Sequence, residues 1–154
     1  MIALEKFPQN ENEKNRVLDY AHELQKESLQ IAINNFGENS LQTAKHYGNL
    51  GRLYQSMDRK DEAEKMHLKA ISIKESLLGG QDSEVAVSLG HLASLYNYDM
   101  EEYGKAEILY HRCINICKDL FGATYSGLEY DYRGILYNDL THTWVTVNLT
   151  VGIV

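Results

Sequence analysis

Lys45, Asn49 and Arg52 stand four and three residues apart in the stretch from Ser40 to Ser56, which holds no carboxylate. At 3.6 residues per turn the three fall on one helix face. An ammonium, an amide and a guanidinium so arranged can hold a carboxylate by charge-assisted hydrogen bonds, and the amide can also bond a peptide backbone. The plain alternative is a solvated basic face. His91 lies 42 residues after Asn49, so whatever element carries one carries the other at the same place.

Other reactive side chains make weaker cases. Cys113 and Cys117 share a helix face, but His111 falls away from both, and a structural zinc needs four ligands where two are found. Both thiols are read as reduced packing residues, with no metal and no cofactor. His22, His46, His67 and His142 each stand without a neighbouring acid or nucleophile, and there is no nucleophile elbow, phosphate loop or dinucleotide fingerprint. Glu11, Glu13, Asp61, Glu62 and Glu64 sit where helix N-termini favour negative charge, a structural role. The chain is therefore read as a binding protein and not an enzyme.

The elements that position these residues announce themselves by repetition. YGNLGRLY (Tyr47 to Tyr54) returns as LGHLASLY (Leu89 to Tyr96) after 42 residues. AHELQKESLQIAINNFG (Ala21 to Gly37) returns as AEKMHLKAISIKESLLG (Ala63 to Gly79) after 42 and as AEILYHRCINICKDLFG (Ala106 to Gly122) after 43. Apolar residues inside each copy keep helical spacing: Leu50, Leu53 and Tyr54 in one kind, Ala63, Met66, Ala70, Ile71, Ile73 and Leu77 in the other. Gly51 and Ala93, and Ala21, Ala63 and Ala106, keep contacts small where helices must approach. Gly37, Gly79 and Gly122 close the helices, and Asn39-Ser40, Asp82-Ser83 and Asp58 are the N-cap candidates. The expected order is a lead-in over 1–12, helices over 13–36, 40–56, 59–78, 83–98 and 101–121, a partial one over 126–139, and a divergent tail over 141–154.

Antiparallel helix pairs at such a period make an all-α solenoid of the tetratricopeptide type, cut from a longer array. In such a solenoid the first helix of each pair lines the groove. With Leu50 and Tyr54 inward, the groove face is Lys45, Gly48, Asn49 and Arg52, then Val87, Gly90, His91 and Ser94 with Asn97 and Tyr98 at the rim, then Tyr130, Arg133 and Tyr137. The expected peptide-binding set is Lys45, Asn49, Arg52, His91, Ser94, Tyr98 and Arg133. Tyr47, Tyr54, Tyr96 and Tyr110 are assigned to the seams between helices. Tyr125, Tyr130, Tyr132 and Tyr137 are left between seam and groove wall.

Composition narrows the partners. The formal charge of −7 repels phosphate backbones, so nucleic acid is not expected. No apolar run is long enough to span a bilayer and no leader pattern opens the chain, which is read as soluble and intracellular. Its one proline, Pro8, leaves the rest free to build long helices. From Thr141 to Val154 the texture turns to uncharged, alternating Thr, Val, Ile and Trp, which favours strand and reads as foreign to the repeat. The Asn148-Leu149-Thr150 acceptor triplet is read as idle.

The long period and the phrase NFGENSLQTAKHYGNLGRLYQSM, with GHLASLYNYDMEEYGKAE and YSGLEYDYRGI, resemble the kinesin light chain-like subgroup of tetratricopeptide adaptors over about residues 4–137. What the resemblance implies is a cargo or substrate receptor: one that takes the cytoplasmic tail of the amyloid precursor protein or a C-terminal degron peptide, serves a cullin-2 ubiquitin ligase and associates with microtubules, in the cytoplasm or nucleus. Tetratricopeptide carboxylate clamps place Lys, Asn and Arg on successive groove helices, which the set above is similar to. The contrasting reading is a structural scaffold or oligomerisation module whose open ends stack on another chain.

Overall fold

In the computed structural model, which describes residues 10–151 with side chains through Thr141, the chain is a row of six helices: α1 (Glu11–Phe36), α2 (Leu41–Ser56), α3 (Lys60–Leu78), α4 (Ser83–Ser94), α5 (Tyr103–Phe121) and α6 (Leu128–Val151). A five-residue π-helical turn, Leu95–Asp99, prolongs α4. Each helix packs chiefly on its neighbours in sequence, α1 on α2, α2 on α3, α3 on α4, α4 on α5 and α5 on α6. Such nearest-neighbour stacking defines a solenoid. No described helix is long and apolar enough to cross a membrane.

Local chemistry sets the boundaries. Asn10, Ser40 and Asp82 each accept a backbone N–H from the first turn that follows, from Glu13 at 2.9 Å, Thr43 at 3.1 Å and Glu84 at 2.7 Å. α1, α3 and α5 all end on glycine, with φ of 85°, 84° and 90° and ψ near 160–167° at Gly37, Gly79 and Gly122. Only glycine adopts that region without strain. Each of these glycines donates its N–H 2.9 Å back to the last helical turn.

Asp58 does not cap α3 as expected. It takes a left-handed φ of 57°, and Arg59 opens the helix without a side-chain cap. The reason lies in the turn: the Tyr54 carbonyl accepts the Arg59 N–H at 2.8 Å, which forces one residue between them to positive φ. The next repeat does the same with the Tyr96 carbonyl, the Glu102 N–H at 2.8 Å and Glu101 at φ 56°. Ala63 lies nine positions after Tyr54, and Ala106 lies ten after Tyr96. The π turn absorbs the extra one, since a π turn holds one residue more per hydrogen-bonded ring.

The core runs along the seams. Val85, Leu89, Leu92, Ala93, Leu95, Ala106, Tyr110 and Ile116 are 2% exposed or less, and a second cluster joins Ala44, Tyr47, Ala70 and Ile73. The small residues act as expected: a Cβ on Gly51 would stand 2.9–3.0 Å from three atoms of the His67 ring, so the ring lies flat on the α2 backbone. Leu77, one of the apolar residues at helical spacing, is exposed on the last turn of α3. Asn97, placed at the groove rim, is fully buried and donates to the Gly134 carbonyl at 3.0 Å, because the π turn rotates it onto α6.

The segment from Thr141 is not a strand, since α6 continues through Val151. No glycine or proline interrupts 135–151, and extending an existing helix adds a hydrogen bond per residue, which outweighs the small helix penalty of Thr and Val. Residues 1–9, which include Pro8 and most of the lead-in, and residues 152–154 lie outside the described residues, as does the side chain of Asn148.

Candidate functional site

The first helix of each pair, α2, α4 and α6, presents one side to a common cleft of about 430 Å³. Arg52 and Gln55 come from α2, and Val87, Gly90, His91 and Ser94 from α4. Tyr125 and Gly127 precede α6, Tyr130 and Asp131 open it, and Cys113 and Cys117 of α5 are the floor. An open recess of about 520 Å³ adjoins it, lined by Asn49, Arg52, Leu53, Gln55, Ser56 and Asp99. Arg52 and Gln55 border both, and Gln55 donates to Asp99, tying α2 to the π turn.

One end of the cleft is cationic. Arg52 is exposed and makes no salt bridge among the described residues, and no hydrogen-bond partner is found for the His91 ring. Behind His91 lies His67, 1% exposed, with ring centroids 6.2 Å apart and edge to face. His67 Nε2 is buried without a partner. Burial, aided by His91 and Arg52, pushes the His67 imidazole down to about 4, and burial together with Arg52 and Lys74 lowers His91. Both rings are therefore neutral at pH 7. Lys74 is itself buried, held by Ser88 Oγ at 3.0 Å and the Glu84 carboxylate at 3.2 Å.

The other end holds a buried acid. Asp131 is 4% exposed, and its Oδ2 lies 3.3 Å from Cys113 Sγ, which can also donate to the Ala86 carbonyl at 3.2 Å. Burial raises the Asp131 carboxyl, and burial with Asp131 nearby raises the Cys113 thiol well above its ordinary range. Gly90 lies directly over this floor, where a Cβ would touch Asp131 Oδ1 at 3.5 Å, an ordinary contact. Tyr125 and Tyr130, both half-exposed, are the aromatic walls.

The expected peptide-binding residues divide accordingly. Arg52, His91 and Ser94 meet in the cleft, and Asn49 lines the adjoining recess. Lys45 is exposed but lines neither, being nearly two turns before Arg52. Arg133 is exposed and engages Glu129 at 2.6 Å, a surface pair one turn along α6. Tyr98 stacks on Tyr137 with ring centroids at 4.8 Å, closing the seam beside the cleft. Tyr132 lies under Lys118, away from it. Asp131 was not among the expected residues, although the sequence carries a signal: it occupies the repeat position of His46 and Ser88, an inward one, where a carboxylate is costly to bury.

Paired antiparallel helices at a 42–43-residue period, closed by glycine and lining a shared cleft, define a helical-repeat binding protein. Tetratricopeptide repeat family models match residues 18–76 and 85–124, and the chain belongs to the tetratricopeptide repeat family. It is similar to amyloid protein-binding protein 2 of Mus musculus, 63% identical over 133 residues, and of Rattus norvegicus, 64% identical over 131. These matches take in 85% and 84% of this chain but 23% and 22% of those proteins, so the chain spans under a quarter of their length. Among solved structures it resembles BtubC (BKLC) from P. vanneervenii, with TM-score 0.70 and 23% identity over 80% of this chain and 49% of that one. It also resembles a kinesin light chain-type protein of Podosopora anserina with nearly identical TPR-like repeats, with TM-score 0.70 and 16% identity over 89% and 70%. At these identities the structures speak for the fold alone.

Proposed function

We propose that the chain is a peptide-binding adaptor module whose guest lies across α2, α4 and the start of α6. The observation that carries this reading is the cleft itself: an unpaired guanidinium, an imidazole without a hydrogen-bond partner and a buried carboxylate face one space that two tyrosines also line. Polar groups left unpaired beside an apolar wall suit an extended chain, whose carbonyls, N–H groups and terminal carboxylate supply the missing partners. Arg52, His91 and Ser94 are the residues proposed to hold it, with Asn49 in the adjoining recess; Lys45 and Arg133 lie outside both, and Tyr98 packs on Tyr137 in the seam beside the cleft. The relatives' name, amyloid protein-binding protein 2, supports a protein guest. On the same resemblance we read the guest as a cytoplasmic tail or C-terminal degron peptide. We read the longer protein as an intracellular adaptor for transport on microtubules or for a cullin-2 ligase.

The test is an array of fluorescent C-terminal peptides, each with a free and an amidated end, against the chain and two variants. Arg52→Ala is expected to lower affinity for the binders by about tenfold or more, the worth of one charge-assisted bond. Lys45→Ala is expected to change it less than about twofold, as for an exposed charge. Equal losses in both variants, or no binder in the array, would sink the reading.

One observation favours a second reading, a scaffold that stacks on another copy of itself. Ile31 of α1 is 60% exposed, while its repeat counterparts Ile73 and Ile116 are 5% and 1% exposed beneath a partner helix. At the far end Leu136 of α6 is 56% exposed where Ala93 is fully covered. Size-exclusion chromatography over a dilution series separates the readings, since end-to-end stacking gives a concentration-dependent elution volume without peptide.

A further inference from the structure

We infer that the Arg52–His91 end of the cleft is a carboxylate seat that takes up a proton on His91 as it fills. Arg52 supplies a permanent charge from α2, and His91 of α4 lines the same cleft with a half-buried ring that lacks a hydrogen-bond partner. A carboxylate bound to the guanidinium there has its second oxygen free for a donor from the imidazole. A neutral imidazole can donate from one nitrogen, but an imidazolium adds charge to the bond and roughly doubles its strength.

The groups around His91 set the sense of the coupling. From α2 comes Arg52, and from α3 come His67 and Lys74. From α5 come Cys113 and Cys117, both protonated thiols, and from α6 come Asp131 and Tyr130 across the cleft. Glu84 of α4 is engaged by Lys74, and Asp99 of the π turn by Gln55. The near charges are thus cationic, and with burial they keep the empty seat's imidazole neutral. An anion between Arg52 and His91 cancels the repulsion and favours the imidazolium. Proton uptake on binding makes affinity rise as pH falls from the filled-seat pKa toward the empty-seat one, and level off below it.

The inference rests on the reading of the cleft as a peptide groove, and the probe is chosen so that the two fail separately. Sodium acetate replaces sodium chloride at constant ionic strength while the imidazole Cε1–H signals of the full chain are followed by NMR from about pH 5.5 to 8. His91→Gln assigns the signal, His111 on the exposed face of α5 is the internal reference, and acetamide is the uncharged control. The expected result is a rise of about half a unit or more in the His91 midpoint at roughly 0.2 M acetate, about a threefold change in proton affinity. That rise should be absent with acetamide and lost in Arg52→Gln. A His91 midpoint that tracks His111, or a rise that survives Arg52→Gln, overturns the inference, even if peptides bind. Conversely, a rise with acetate and no peptide binder leaves the seat standing and removes the peptide reading.

Discussion

His67 shows how one side chain carries both packing and electrostatics. It lies flat on Gly51, 1% exposed, with Nε2 unpartnered and its pKa held near 4 against an ordinary 6.5. Between those values the unfolded chain binds the proton and the folded one does not, so stability is full above about pH 6.5 and falls as pH drops toward 4. The gap corresponds to about 3 kcal/mol. His67→Gln, which installs the residue that α1 carries at this position, Gln25, should flatten that part of the curve. Thermal melts at pH 7 and pH 4.5 check it, and an identical drop in Tm for both proteins would refute the assignment. The sequence marked His67 as part of the repeat but not as buried beside a second histidine. That pairing depends on the crossing of α3 and α4, which no spacing within one helix reports. Asp131 was hidden for a related reason: its partner thiol lies on the preceding helix, 18 residues back.

At the scale of the element, most of what the sequence announced was local, and the local signals were read well. Ser40 and Asp82 cap, the three glycines close, and Ala63, Ala93 and Ala106 are fully covered while Ala21 of α1 is only partly so. The errors fall where a turn or a long-range contact overrides local preference. Asp58 is taken by a tyrosine-carbonyl turn, and the tail from Thr141 is carried along by the helix before it. Asn97 is the clearest instance, a polar residue that reads as surface but fastens the π turn to α6. Asn97→Ala removes the buried bond between the π turn and α6, while the Gly134 carbonyl keeps its donor within the helix, and should cost about 1 kcal/mol. The loss is to be measured by urea denaturation, and a change below about half a kcal/mol would show the bond to be dispensable.

For the whole molecule, stability should grade from the middle outward, because α2, α3, α4 and α5 each pack between two sequence neighbours while α1 and α6 each have one. α1 buries only Ala32 fully. Hydrogen exchange followed by mass spectrometry should therefore find the slowest amides in 43–51, 63–75, 85–95 and 106–117, and the fastest helical ones in α1 and the later turns of α6. Uniform protection along the row would mean all-or-none unfolding and would contradict nearest-neighbour stacking. The π turn has one more consequence at this scale. Because the surplus residue is taken up inside a helix end, both tyrosine-anchored turns deliver the next helix to the same place, and units of 42 and 43 residues stay in phase. Length is thereby uncoupled from pitch: neighbouring units can be exchanged or multiplied without retuning the superhelix, so the array can lengthen while the path its guest follows keeps a constant curve.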